Sequence, residues 1–528
     1  MKKISFLLLS LLIATSSMSQ TGFETIIPTE DGVFREAKHV IETTYHGFLI
    51  GLDAQDRYQN DMLITVSSEG EVTKQLIFQI DNKNLKYCGL FCHPANEEDY
   101  LVVATLDEGT TPDDYIQKEL AFIRFDSDLN IISQTVYDFG DDYVKLAAGV
   151  LEVPLLILED DGTVTMVTRC QKTDGYYSLF ARFTNDGEIL KQKESDMSSN
   201  VVGLNLFNLF SRRRSDGSFG MIMSEPETGS HFYEADTAFN VTRIGRLTNL
   251  PIRVVENQQY NLLDTTYSYY FPQGTIDFLN DSVSLLTTGG RYIKHLGAEL
   301  GWCNFIATID DSLNVLDNDI WDIGKQSANY STSALSAGYN AISVSNDAIF
   351  HCGVVGIKDH GHHCGGFGVQ ASTITVSKFD KELNLIWRRH YGGNGVFYDI
   401  NIIQATEDGG CIMTGVYTKD FDVCNFSSYI LKLNEDGYDA ISENTESLAK
   451  PYFCYPNPAK DKIYIEFSPD VNCQSVEIYT LDGRMVETCH GASLQNNTID
   501  ISNLNSGVYL MKIRMADGKE FSEKIVKE

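Results

Sequence analysis

Ile123-Arg124-Phe125-Asp126-Ser127-Asp128-Leu129-Asn130-Ile131 reads as the end of one strand, a tight turn and the start of the next. The pattern returns as Ala307-Thr308-Ile309-Asp310-Asp311-Ser312-Leu313-Asn314-Val315 and as Val376-Ser377-Lys378-Phe379-Asp380-Lys381-Glu382-Leu383-Asn384-Leu385. Looser copies place the turn at Ser67, Thr184, Asp236 and Asn434, so that seven turns follow one another at steps of 59, 58, 52, 74, 70 and 54 residues. Asp, Asn and Gly suit such turns because they tolerate left-handed backbone and bond nearby amides. The flanking Val, Ile, Phe, Tyr and Thr suit pleated strands.

A second unit, a turn followed by an apolar strand, precedes each copy. It opens as Val40-Ile41-Glu42-Thr43-Thr44-Tyr45-His46-Gly47-Phe48 and closes as Ala405-Thr406-Glu407-Asp408-Gly409-Gly410-Cys411. Between them its turns fall at Glu98-Asp99, Asp161-Gly162, Asp216-Gly217, Asn280-Asp281 and Asn346-Asp347. No stretch between 25 and 445 sustains a helical apolar period. Two hairpin signals per repeat make a four-stranded antiparallel sheet, which has no partner for its faces until others stack on it. Seven stacked radially leave only short edges. The expectation is all-β: a seven-bladed β-propeller over 24–444, closed by the N-terminal segment pairing into the last blade. Tandem sandwiches need about 100 residues per unit, too many for this spacing. The repeats resemble those of secreted bacterial β-propellers with an Asp-Gly-Gly turn and an Asp-x-x-Leu-Asn turn in each blade.

Both ends carry addresses. Lys2 and Lys3 precede an apolar run at 4–14, and Ser17-Met18-Ser19 offers small residues before a cut at Gln20, so 1–19 reads as a signal peptide. No later run reaches the roughly 20 apolar residues of a membrane-spanning helix. Residues 445–450 read as a linker. At 451–528 stand Tyr455-Pro456-Asn457-Pro458, then Val476-Glu477-Ile478-Tyr479-Thr480-Leu481-Asp482-Gly483-Arg484, then Gly507-Val508-Tyr509-Leu510, and last Lys524-Ile525-Val526-Lys527-Glu528. This succession resembles the type A C-terminal sorting domain of the type IX secretion system of Bacteroidota. The resemblance implies an Ig-like sandwich, handling by that machinery, and a protein secreted or attached to the outer-membrane surface. Tyr455, Pro456, Asn457, Pro458, Gly483, Gly507 and Tyr509 carry the sorting motifs.

A net charge of −32 opposes nucleic acid, whose binding needs Lys and Arg to displace phosphate counterions. The one basic cluster, Arg212-Arg213-Arg214, reads as a solvated loop. The 11 cysteines are dilute and odd in number, unlike a cystine-stapled fold. Cys88 with Cys92 and Cys473 with Cys489 are the nearest candidate pairs.

The densest group of ligand-type side chains is Cys352, His360, His362, His363 and Cys364. Imidazole and thiolate suit zinc or copper, although the spacing fits no zinc finger, and the two thiols have a disulfide as their alternative. The metal reading rests on His360, His362 and His363. Asp126 to Asn130 and Asp310 to Asn314 begin like calcium loops but lack the later Gly and Glu, which favours plain turns. Thr105 to Thr111 looks like one degenerate Asp-box. Tyr267, Tyr269, Tyr270 and Phe271 offer an aromatic sugar platform or ordinary strand packing. No nucleophile elbow, zincin helix or phosphate loop occurs. Two functions compete: a monomeric, non-enzymatic module binding an extracellular glycan or protein, and a hydrolase of polysaccharide or protein. Any ligand site is expected on the enlarged loops at 291–302 and 352–366.

Overall fold

The computed structural model describes residues 22–28, 33–44, 47–54, 59–108, 116–146, 154–195, 212–213, 217–225, 229–246, 274–280, 282–288, 291–295, 298–312, 314–321, 330–336, 340–359, 369–392, 396–418, 426–437, 452–455, 459–467, 473–480, 484–490, 498–515 and 520–527. They hold strands and turns, with no helix among the described residues. The chain divides into two compact units, Met1–Ser442 and Glu443–Glu528.

The first unit is a succession of antiparallel meanders. The first runs through Arg35–Glu42, Phe48–Ala54, Met62–Val66 and Val72–Leu76; the second through Asn84–His93, Asn96–Glu108, Ile116–Phe125 and Ile131–Asp138. In the third, Tyr143–Lys145 and Leu155–Leu158 both pair with Val164–Lys172, and Gly175–Phe183 and Ile189–Ser195 follow. One parallel pairing, Lys145 with Gln117, joins it to the second. The fourth comprises Arg212–Arg213, Phe219–Glu225, Gly229–Ala235 and Val241–Arg246. Gly274–Asn280, Val283–Thr288, Ala298–Asp310 and Val315–Trp321 make the fifth. In the sixth, Tyr330–Ser336 and Ile342–Val344 lie on Ile349–Asp359, with Val369–Phe379 and Leu385–Gly392 beyond. The last has three strands of its own, Phe397–Ala405, Cys411–Thr418 and Ser427–Leu433. Its fourth is Phe23–Ile27 from the N-terminus, in register from Phe23 with Lys432 to Ile27 with Ser428.

Apolar cores join most successive meanders, because each sheet has side chains on both faces. Leu49 and Leu63 of the first share a core with Tyr87 and Phe125 of the second. Phe122 meets Phe183 of the third, and Phe180 stacks on Phe239 of the fourth at 5.6 Å. Leu285 and Ile306 of the fifth pack with Ile342 and Phe379 of the sixth. Phe350 and Ile374 pack with Met413 and Leu431 of the last. Ile412, Ile430 and Phe23 then pack with Phe48 and Ile64 of the first. Each such large aliphatic or aromatic side chain contributes about 1.5–3 kcal/mol by leaving water. Side-chain hydrogen bonds tie the same seam: Asn401 Nδ2 and Thr414 Oγ1 donate to Ala37 O at 3.1 and 3.0 Å, and Ser428 Oγ to Arg35 O at 2.7 Å.

The turns explain why Asp and Asn recur. Asp126 Oδ1 accepts from Asp128 N (2.9 Å) and Asn130 N (2.8 Å), while Oδ2 accepts from Asn130 Nδ2 (3.0 Å). Asp236, Asp310 and Asp380 repeat this arrangement with Asn240, Asn314 and Asn384. Local donors therefore occupy these carboxylates, and they act as turn formers rather than as the starts of calcium loops. The fourth residue takes left-handed backbone, φ 60° at Leu129, 64° at Phe239 and 66° at Leu383. Gly70, Gly187 and Gly437 fill the same place in the looser copies at 88°, 84° and 78°. A left-handed residue with a Cβ costs about 1–2 kcal/mol. Burial of Leu129, Phe239 and Leu383 offsets that cost, which is how a non-glycine residue persists there.

Several expectations are corrected. The second meander turns between the paired residues His93 and Asn96, so Glu98-Asp99 lies inside a strand, where Asp99 accepts from Arg124 Nε at 2.8 Å. Cys88, Cys92, Cys352 and Cys473 are all free thiols. Cys88 and Cys92 share one strand, about 13 Å apart at ~3.3 Å per residue, beyond disulfide reach. Cys473 stands opposite Met515, whereas Cys489 stands opposite Val476, so the two are out of register. Cys352 is a fully buried free thiol in the core shared with Cys411, and its candidate partner Cys364 lies outside the described residues. The segment 291–302 is no loop: Arg291–His295 pairs back onto Ala298–Asp310 as a hairpin arm.

The second unit packs a sheet of Tyr452–Tyr455, Lys462–Phe467 and Thr498–Asp500 on one of Cys473–Thr480, Met485–His490, Gly507–Met515 and Glu520–Lys527. Ile463 and Ile465 meet Val476, Ile478, Met511 and Ile513 in its core. Tyr509 is buried and its hydroxyl donates to Asn505 O at 2.8 Å, much as a tyrosine corner does. Nothing crowds the position a Cβ would take at Gly507.

Candidate functional site

Each meander has two unlike ends. First-to-second and third-to-fourth connections never exceed five residues, as at 43–47, 67–71, 126–130 and 406–410. The connections at the other end include 109–115, 196–211, 247–273 and 419–426. At that second end, around the first two meanders, sits a group of buried charge.

Glu36 and Asp53 lie directly opposite each other across the first two strands. Like charges so placed repel. Lys38 relieves this, its Nζ 3.3 Å from Glu36 and 2.6 Å from Asp53. Asp61 is 1% exposed, and it fastens the connection after Ala54 to the next meander. It accepts from Ala54 N (2.9 Å), Tyr87 N (2.7 Å) and Lys86 Nζ (3.1 Å). Lys86 also donates to Ala54 O at 3.0 Å and lies 3.6 Å from Asp53.

The two carboxyls differ in state. Burial, then the charge of Asp53, pushes Asp61 well above the usual carboxylate range. Burial opposes ionisation of Asp53 as well, but the ammonium groups of Lys38 and Lys86 outweigh it and keep Asp53 ionised. Nearby, burial lowers His39 to about 4. Burial also raises Asp399 to about 7, with Glu36 adding to the effect. Neighbouring carboxyls whose surroundings push their proton affinities apart are the arrangement acid–base chemistry requires. Here Asp61 already carries three structural hydrogen bonds.

Sequence reasoning did not single out Asp53, Asp61, Lys86 or Asp399. The available signal was charge inside apolar strands, as in Leu85-Lys86-Tyr87 and Tyr398-Asp399-Ile400. His360, His362, His363 and Cys364 lie outside the described residues, as do Tyr267, Tyr269, Tyr270 and Phe271. Among the described residues no three His, Cys, Asp or Glu side chains are placed to hold a metal. Of the Asp-box segment, 105–108 belongs to the strand Asn96–Glu108 and the rest lies outside the described residues. Tyr455, Gly507 and Tyr509 stand on strands of the second unit, and Pro456, Asn457, Pro458 and Gly483 fall outside the description. Among the described residues no helix is long and apolar enough to cross a membrane.

The chain is similar in structure to a protein of unknown function from Dyadobacter fermentans, at 7% identity and a TM-score of 0.39, covering 78% of this chain and 98% of that one. It is similar also to the polysaccharide lyase Uly1, at 9% identity and 0.39, covering 76% and 90%. A mutant of the NanB sialidase from Streptococcus pneumoniae matches at 10% identity and 0.36, covering 78% and 70%. No curated protein matches the sequence. Residues 454–528 match the family model of the secretion system C-terminal sorting domain, so the chain ends in a type IX sorting tail and is a secreted or surface-attached protein.

Proposed function

We propose that residues 24–444 form a closed seven-bladed β-propeller, delivered by the type IX machinery, that binds an extracellular glycan or protein through the face carrying its long connections. The observation that carries this reading is the contrast between the two ends of the meanders. Connections of five residues or fewer meet the needs of strand reversal, while those at 196–211 and 247–273 exceed them. Closure is supported by the pairing of Phe23–Ile27 with Ser427–Leu433 and by shared cores from one meander to the next. The test is a glycan array and a surface-protein pull-down with the exported protein, beside variants with 291–302 or 360–368 replaced by short Gly-Ser turns. Binding that survives every replacement on this face would overturn the reading.

A second reading, a hydrolase of polysaccharide or protein, is favoured by the carboxyl group of Asp53, Asp61 and Asp399. Turnover of a polysaccharide or casein substrate, lost in Asp53→Asn with folding intact, would select it over binding alone.

A further inference from the structure

The outer strand of every meander pairs along one edge only among the described residues. An open edge offers backbone N–H and C=O groups to any further strand, and charged side chains on it discourage such pairing. Six of these strands are charged, through Glu24, Lys74, Lys191, Arg243, Asp317 and Arg388.

The outer strand of the second meander, Ile131–Asp138, departs from that rule. No residue from Ile131 to Tyr137 carries a charge, and those from Ile131 to Val136 are all exposed. Ile131 is 46% exposed, Ile132 50% and Val136 37%. The strand pairs with Ile116–Phe125 alone, so its other edge is open among the described residues.

The order of residues on this edge selects the partner. Laid antiparallel on itself about Gln134, the strand sets Ile131 opposite Tyr137, Ile132 opposite Val136 and Ser133 opposite Thr135, with Gln134 facing its own copy. Pairs of β-branched, aromatic and hydroxyl side chains are those that stabilise antiparallel neighbours. Asp138 falls opposite Asn130, so no like charges meet across the axis. In a chain of net charge −32 two copies repel, and an uncharged edge is where they approach at least cost. A two-fold pairing uses the same edge on both copies and closes at two. We infer that the chain forms a weak dimer in which Ile131–Asp138 pairs antiparallel with the same strand of a second copy, centred on Gln134. A bulge at Ile132 bends the start of the strand and limits the ladder to a few pairs. So small an interface sets the dissociation constant at about 10–100 µM. This contact is independent of ligand binding on the long-connection face.

Sedimentation equilibrium of the exported chain from about 1 to 200 µM, in ~0.15 M salt to screen its charge, tests the inference. The wild type should pass from monomer to dimer in that range. Gln134→Lys and Gln134→Glu each place like charges face to face at the axis, and each variant alone should stay monomeric. An equimolar mixture of the two should recover a one-to-one dimer. Gln134 is exposed, and unchanged melting temperatures would verify that both variants fold. Hydrogen exchange at high concentration should protect 131–137 in the wild type and in the mixture, but in neither variant alone. A wild type that is monomeric throughout or grows beyond two copies, a dimer that survives Gln134→Lys, or a mixture that stays monomeric would each overturn the inference.

Discussion

At the short-turn end of the meanders, the Asp residues that form the turns bond groups of their own meander. At the long-connection end the buried charges tie one meander to the next. Asp408 illustrates the first. It accepts from Thr406 Oγ1 at 2.6 Å and Gly410 N at 3.0 Å inside its own turn, and binds Lys432 Nζ at 2.8 Å on the third strand of the same meander. Asp61 illustrates the second, since Lys86 and Tyr87 belong to another meander. Local satisfaction sets the shape of a turn, whereas distant satisfaction sets the packing of one sheet on the next.

The largest effect should come from cutting the longest-range tie. Deleting 23–27 removes the fourth strand of the last meander and exposes the core around Phe48 and Ile430. The expected outcome is loss of soluble, cooperative folding by near-ultraviolet dichroism and gel filtration. A deletion variant that unfolds like the wild type would break the account of the seam.

Next come the two carboxyl anchors. Asp408→Ala strands Lys432, whose side chain is 0% exposed, and should cost about 3–5 kcal/mol in urea unfolding. Asp61→Ala leaves the amides of Ala54 and Tyr87 without their acceptor and should cost a similar ~3–5 kcal/mol. The comparison sharpens in hydrogen exchange. Asp408→Ala should loosen 406–410 and the strands of the last meander alone, while Asp61→Ala should raise exchange in both of the first two meanders. Equal, local patterns in the two variants would erase the distinction.

Single turns matter less. Asp126→Ala should cost about 1 kcal/mol, the usual value of a side chain that caps backbone amides. The same substitution at Asp380 should match it, and a cost near zero would mean that backbone hydrogen bonds alone hold the turn.

The smallest effect is a change in how stability depends on pH. His39 is held neutral down to about 4, so between roughly 6.5 and 4 only the unfolded chain gains its proton and stability falls as pH falls. Asp399 keeps its proton up to about 7, so stability falls as pH rises from about 3.8 to 7. The two slopes oppose each other in that range. Melting curves of His39→Gln should therefore decline more steeply toward pH 7, and those of Asp399→Asn should rise toward it. Identical profiles would place both groups in water.

The contrast also accounts for what could be read without coordinates. Asp126, Asp236, Asp310 and Asp380 declare themselves because their partners lie two and four residues away. Glu98-Asp99 misled because Asp inside a strand looks like Asp in a turn until Arg124 is placed opposite it. The cysteines misled for a related reason, since apolar cores accept thiols such as Cys352 and Cys411 as small hydrophobes. Lys86 offered only the weak signal of a charge between Leu85 and Tyr87, and Asp53 and Asp61 offered none, because nothing local distinguishes their carboxyls from solvated ones.

Asn401 holds the carbonyl of Ala37 across 364 residues of chain. A contact at that separation cannot form until almost the whole first unit exists, and long-range closure of this kind is slow relative to hairpins. An emerging or translocating chain therefore spends its early life with Phe23–Ile27 unpaired and the last meander one strand short, a form that chaperones can recognise and proteases can cut. The same arithmetic gives an engineer a handle. A permuted chain that opens within 247–273 and joins 437 to 23 would convert the slowest closure into an ordinary hairpin and move the vulnerable gap elsewhere in the fold.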